Sequence, residues 1–114
     1  MSSIADTFDQ TCEAHGAEIL YMQGGADPLP FKAMFKDYGY GAEPPEVNKR
    51  FRSGASRWAK FTFSSNRLGK DVSPVHDEQV RVGESVFTVR QFQPTHVDGE
   101  VQIWRVFANT DQRS

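Results

Sequence analysis

Cysteine is nearly absent from this 114-residue chain, which contains only Cys12. One cysteine makes neither an internal disulfide nor a Cys-x-x-Cys metal site, which excludes a disulfide-stapled secreted domain. A reducing compartment is the expected setting. Long apolar runs are missing too: nothing approaches the roughly 18 apolar residues of a membrane helix. Residues 1–15 carry acids and no lysine or arginine, unlike a signal or transit peptide. The protein is therefore expected to work in a cytoplasm, or in a particle assembled there, with no membrane partner.

Catalytic signatures are equally scarce. There is no Gly-x-Ser-x-Gly elbow, and Gly24–Gly25 lacks the following Lys-Ser or Lys-Thr of a phosphate loop. The three histidines, His15, His76 and His96, lie far apart. His76-Asp77-Glu78 and His96 with Asp98 are at most fragments of a metal site, because zinc centres use three or four protein ligands. Cys12 falls on an apolar helical stripe, where cysteine behaves as a small hydrophobe. No catalytic residue, metal or cofactor is expected, and the chain does not read as an enzyme.

What the chain does have is aromatic residues and an uneven charge distribution. Nine Phe and two Trp supply much of the apolar volume, and aromatic residues favour strands. The net charge of −2 conceals three blocks: −6 over residues 1–48, +7 over residues 49–70, and −3 over residues 71–114. A basic block of this kind is either a solvated face or a patch that meets an acidic surface or a nucleic acid.

Residues 1–16 read as a helical segment. Ser2 or Ser3 caps it, Ile4, Phe8 and Cys12 form a stripe at helical spacing, and Gly16 stops it. So short a helix is marginal alone. It must dock on its own domain, dock on a neighbour, or stay disordered. Residues 17–108 read as a single β domain. Residues 18–22 form a first strand, and Phe31, Ala33 and Phe35 alternate with Lys32, Met34 and Lys36 in a second. Residues 37–56, rich in Gly and Pro, read as a long exposed flexible loop. Residues 57–64 form a strand with Ala59, Phe61 and Phe63 on one face. Val80 and Val82, the Gly83–Glu84 turn, then Phe87 and Val89 make a hairpin. Phe92 is out of phase, which a bulge near Arg90 and Gln91 repairs. Residues 94–99 read as a turn centred on Asp98–Gly99. Val101, Ile103 and Phe107 share one face of the last strand, with Trp104 and Val106 on the other. Residues 109–114 read as a frayed tail. The expected fold is mainly β: a small antiparallel β-sandwich or barrel with a short N-terminal helix and one long loop.

Two functional readings follow. Lys49, Arg50, Phe51, Arg52, Arg57, Trp58, Lys60 and Phe61 interleave base and aromatic, as on an oligonucleotide-binding face. Phe61 is in phase with the core, which leaves Trp58 and Phe51 as stacking candidates. This gives the alternative reading, a monomeric nucleic-acid-binding β-barrel. The leading reading comes from the element order and from Val82-Gly83-Glu84-x-x-Phe87-x-Val89, followed by Pro94, Asp98–Gly99 and Trp104. That layout resembles the head–tail joining (tail attachment) proteins of lambda-like long-tailed bacteriophages, closely over residues 80–107.

The resemblance implies a structural, non-enzymatic virion protein. It would form a ring at the phage neck, six-fold or alternatively twelve-fold, between the portal-side connector and the tail terminator. DNA would pass through the channel without sequence-specific binding, and the host cytoplasm would be the site of assembly. A ring needs two different surfaces that meet. The charge blocks suggest the helix face of one subunit (Ile4, Phe8, Asp9, Glu13) against the basic segment of the next (Lys49, Arg50, Phe51, Arg52, Arg57, Trp58). On this view the arms become rigid only against adjoining copies or neck partners.

Overall fold

A strand that alternates apolar and polar residues buries one face, and six such strands bury most by closing on themselves. In the computed structural model, which describes residues 4–23, 27–40, 57–69 and 72–110, they do so. Helix α1 (Ile4–His15) is followed by β1 (Ala17–Met22), β2 (Leu29–Tyr40), β3 (Arg57–Ser64), a 3-10 turn (Ser65–Arg67), β4 (Gln79–Val82), β5 (Ser85–Val97) and β6 (Glu100–Thr110). The strands form a closed antiparallel barrel in the order β1-β2-β3-β6-β5-β4. The closing seam is short: Leu20, Tyr21 and Met22 pair with Arg81, Val80 and Gln79.

The interior is filled by aromatic side chains in two tiers. Phe61 packs against Phe35 (ring centroids 5.2 Å) and Phe87 (5.7 Å). Phe63 packs against Phe31 (5.1 Å) and Tyr21 (5.9 Å). Ala33, Ala59 and Ala108 leave room for these rings, and Leu68, just past the 3-10 turn, joins the same core. Each fully buried Phe contributes about 1.5–3 kcal/mol, so these rings dominate the energetics.

Several element boundaries differ from the sequence reading. The loop expected from residue 37 does not begin there, because β2 runs to Tyr40. A register shift between Asp37 and Gly39 makes Tyr38 an extra residue, after which Gly39 and Tyr40 still pair with Trp58 and Arg57. The remainder of that loop, 41–56, lies outside the described residues. The turn expected over 94–99 shrinks to Asp98–Gly99, both at positive φ (53° and 83°), the backbone a two-residue hairpin needs. Pro94 sits inside β5, where β4 no longer runs alongside, since β4 pairs only with Ser85–Thr88. A missing N–H costs no ladder bond there. The bulge expected near Arg90 is present, with the register shifting between Val89 and Gln91. A second shift between Thr95 and His96 turns Val101 inward with Trp104, rather than outward with Ile103. The tail expected from residue 109 does not start there: β6 runs to Thr110, and Asn109 is buried and accepts a hydrogen bond from Arg90 Nε (2.9 Å), while 111–114 lie outside the described residues.

Candidate assembly interface

The helix face proposed for a neighbour is occupied by the chain's own barrel. α1 buries Ala5 and Cys12, with Phe8 half-buried, while Ile4 at the end of the expected stripe is 47% exposed. The docked stripe is thus rotated from Ile4–Phe8–Cys12 toward Ala5–Asp9–Cys12. It is rotated because the surface beneath is polar. Asp9 receives hydrogen bonds from Ser64 Oγ and from Asn66 Nδ2 (3.0 Å), and Asn66 also reaches Asp6 (2.9 Å). Arg67 forms ion pairs with Asp9 (3.0 Å) and Glu13 (3.0 Å). Its guanidinium also lies 5.9 Å from the centre of the Phe31 ring. Lys32 Nζ donates to the Glu13 carbonyl (3.3 Å), and the Ala5 amide donates to Gln102 Oε1 (3.2 Å). The acidic helix does meet the basic block, but within one chain and through Arg67. Within the single chain, Asp9 and Glu13 both pair with Arg67.

Of the proposed basic face, Arg57 and Trp58 are described. Trp58 is fully buried, packed with Phe107 and Tyr38 in a small second cluster. It is therefore not an exposed stacking or contact residue. Arg57 donates to both carboxylate oxygens of Asp37, with Nε at 3.2 and 3.1 Å, and lies over the Phe87 ring at 5.6 Å. Arg57 and Ser64 are at opposite ends of β3, roughly 24 Å apart at strand rise. The α1 contacts and the Arg57–Trp58 site are consequently separate surfaces. Lys49, Arg50, Phe51 and Arg52 lie outside the described residues.

The residue that sequence reasoning did not single out is Arg67. It was counted only as part of the basic block 49–70, yet two acids four apart on one helix face, Asp9 and Glu13, are spaced to share a single cation. The other polar fragments have structural partners. Glu78 accepts from Tyr21 Oη (2.6 Å) and the Val75 amide (2.7 Å). Asp77 pairs with Arg90 (3.3 Å), and the His76 ring packs on Phe92 (5.2 Å). Burial pushes the Tyr21 phenol well above its ordinary range, and the Glu78 hydrogen bond and charge act in the same direction. Burial likewise pushes the Cys12 thiol up. Among the described residues no group of three or more His, Cys, Asp or Glu could hold a metal.

Among the described residues, a groove and an apolar pair stay open to solvent. A groove of ≈ 680 Å³ runs between the start of α1, the segment after β3 and the β5–β6 tip, lined in part by Ala5, Asn66, Val72, Val101 and Trp104. Val72 and Val75, along the segment leading to β4, are 39% and 55% exposed. No protein-family model matches the chain, and neither does any curated protein or solved structure.

Proposed function

We propose that this chain is a structural virion protein that forms a ring at the neck of a long-tailed phage and joins the DNA-filled head to the tail. The observation that carries this reading is the shape of the barrel. β2, β5 and β6 are 12, 13 and 11 residues long, whereas β1 and β4 have only six and four. The long strands outrun their neighbours, which makes the two ends of the barrel unlike. A body with two unlike ends suits the head-to-tail contacts of a ring. The element order of the tail attachment family is consistent with this layout.

In this reading the partners are other copies of the chain, in six-fold or twelve-fold array, the portal-side connector and the tail terminator. DNA crosses the channel without sequence-specific contacts. Intersubunit contact falls to surfaces other than the α1 face, which is used within the chain. The basic segment around Arg50 and Arg52 remains the leading candidate on sequence grounds. The rival reading, a monomeric nucleic-acid-binding barrel, loses a stacking residue with the burial of Trp58.

The test has two parts. The purified protein is weighed natively with and without its neck partners, and particles assembled without it are imaged. Filled heads and finished tails left unjoined are the expected phenotype; normal joined particles would remove the reading. Reversing Arg50 and Arg52 to Glu is expected to weaken ring formation at physiological salt.

A further inference from the structure

We propose that α1 is a releasable latch: a helix clamped to its own barrel by charge, able to leave while the barrel stays folded. The latch acts within one chain, so it is independent of whether copies form a ring. Three observations support it.

The first is the nature of the seam. The apolar side chains that α1 buries completely are small, Ala5 and Cys12. Phe8 is only half-buried, and the other contacts described above are polar: Asp6 with Asn66, Asp9 with Ser64, Asn66 and Arg67, Glu13 with Arg67, and the Glu13 carbonyl with Lys32. Water can replace polar contacts on release, whereas large bared apolar surfaces would hold the helix down. The second is that the barrel's closure does not involve α1. All six strands pair in a complete circuit without it, and the main core cluster contains no α1 residue. The third is the joint. A single residue, Gly16, separates α1 from β1. It fits so closely that a Cβ there would stand 2.6 Å from the Cys12 carbonyl oxygen and 2.9 Å from that of Ala33. Once undocked, a 12-residue helix has little reason to stay helical, so release and melting coincide.

Release would change one surface in particular. Ala5 forms a wall of the groove beside Val101 and Trp104, so losing α1 opens that groove along β6.

Cys12 makes the latch measurable. It is the chain's only cysteine, it is buried on the docked face, and its Sγ sits 3.9 Å from the Thr62 carbonyl oxygen. An aromatic disulfide reagent that releases a coloured thiolate can attack it only when α1 opens. The experiment follows Cys12 labelling, relative to a free thiol, in the intact protein, while hydrogen exchange of β3 and β6 amides reports on the barrel. Raising salt to about 1 M, where the Debye length is about 3 Å, is expected to speed labelling several-fold. Arg67→Ala is expected to speed it about tenfold, the worth of two partly exposed ion pairs. In both cases β3 and β6 stay protected. Arg67→Lys, which keeps the charge, should fall between wild type and Arg67→Ala. Labelling that is indifferent to salt and to Arg67 would overturn the latch. So would an Arg67→Ala protein whose β3 and β6 amides lose protection together with α1, since α1 would then belong to the core's cooperative unit.

Discussion

The barrel interior and the α1 seam are held by opposite kinds of chemistry, and the contrast explains which part of this molecule can move. Inside the barrel, rings from different strands lie 5–6 Å apart. Under α1, a carboxylate occupies the middle of the contact. Apolar burial is not screened by salt and is shared among all six strands, so the barrel opens as a unit. Partly exposed ion pairs are weak and screened, so the seam opens by itself.

The strongest way to break the comparison is at Phe61, which is fully buried between Phe35 and Phe87. Phe61→Ala is expected to cost about 3–5 kcal/mol. That is a large share of the roughly 5–15 kcal/mol that holds a domain together. Hydrogen exchange across a urea series should show β3 and β6 losing protection together, with α1 lost no later than they are. Gly16→Ala is the matched test on the other side. Its Cβ would press on two backbone carbonyls, neither of which can swing aside. The expected loss is about 1–3 kcal/mol, by analogy with overpacking, and confined to α1. Hydrogen exchange should show α1 amides unprotected and the strands unchanged; a parallel loss across β3 would erase the distinction.

Much of the barrel was legible in the sequence, because period-two alternation is a direct imprint of a sheet with one buried face. Phe31–Ala33–Phe35 and Ala59–Phe61–Phe63 point inward as their spacing requires, and even the Arg90 bulge is implied by Phe92 falling out of phase. What misled was local chemistry overridden by tertiary position. Pro94 argues for a turn, but on a stretch of β5 beyond the end of β4 it costs nothing. Trp58 shares a face with Lys60 and Thr62 and so reads as exposed. The structure buries it because Tyr38, thrown out by a bulge in β2, and Phe107 of β6 meet it there. The α1 face was misread for a related reason: its docking partner is Arg67, some fifty residues away, and no periodicity encodes such a meeting. The ion pairs themselves follow from complementary charge blocks, but whether they close within a chain or between chains is a matter of geometry alone.

A third region, between core and surface, sharpens the contrast through pH. Tyr21 contributes its ring to the core and its hydroxyl to Glu78. Tyr21→Phe keeps the ring and is expected to cost about 1.5 kcal/mol at neutral pH, the low end for a hydrogen bond to a charged group. The fold holds the Tyr21 proton more tightly than the unfolded chain does. As pH rises past about 10, the unfolded phenol ionises first, so the folded state binds more protons and stability falls. Cys12, also pushed up by burial, adds to the fall in the same direction. Urea midpoints compared at about pH 8 and about pH 10.5 should show a steeper decline for wild type than for Tyr21→Phe. Equal slopes would mean that the Tyr21 environment contributes nothing to the alkaline limb.

The smallest expected effect is the most telling about where charge matters. Arg57–Asp37 and Arg67–Asp9 are both arginine–carboxylate pairs with partly exposed side chains. Arg57 and Asp37, however, stand on β2 and β3, two strands already joined by a ladder that runs from Met34↔Thr62 to Tyr40↔Arg57. Breaking that pair frees nothing, because backbone hydrogen bonds and the Phe35–Phe61 contact still hold the strands together. Asp37→Asn is therefore expected to lower stability by only about 0.2–1 kcal/mol, with Cys12 labelling unchanged. Asp9→Asn weakens a clamp on which a whole element depends, so a loss of similar size should appear as faster Cys12 labelling with little change in the barrel's urea midpoint. If Asp37→Asn accelerated Cys12 labelling as much as Asp9→Asn, the two pairs would be coupled through the barrel, and the seam could not be treated as a separate unit.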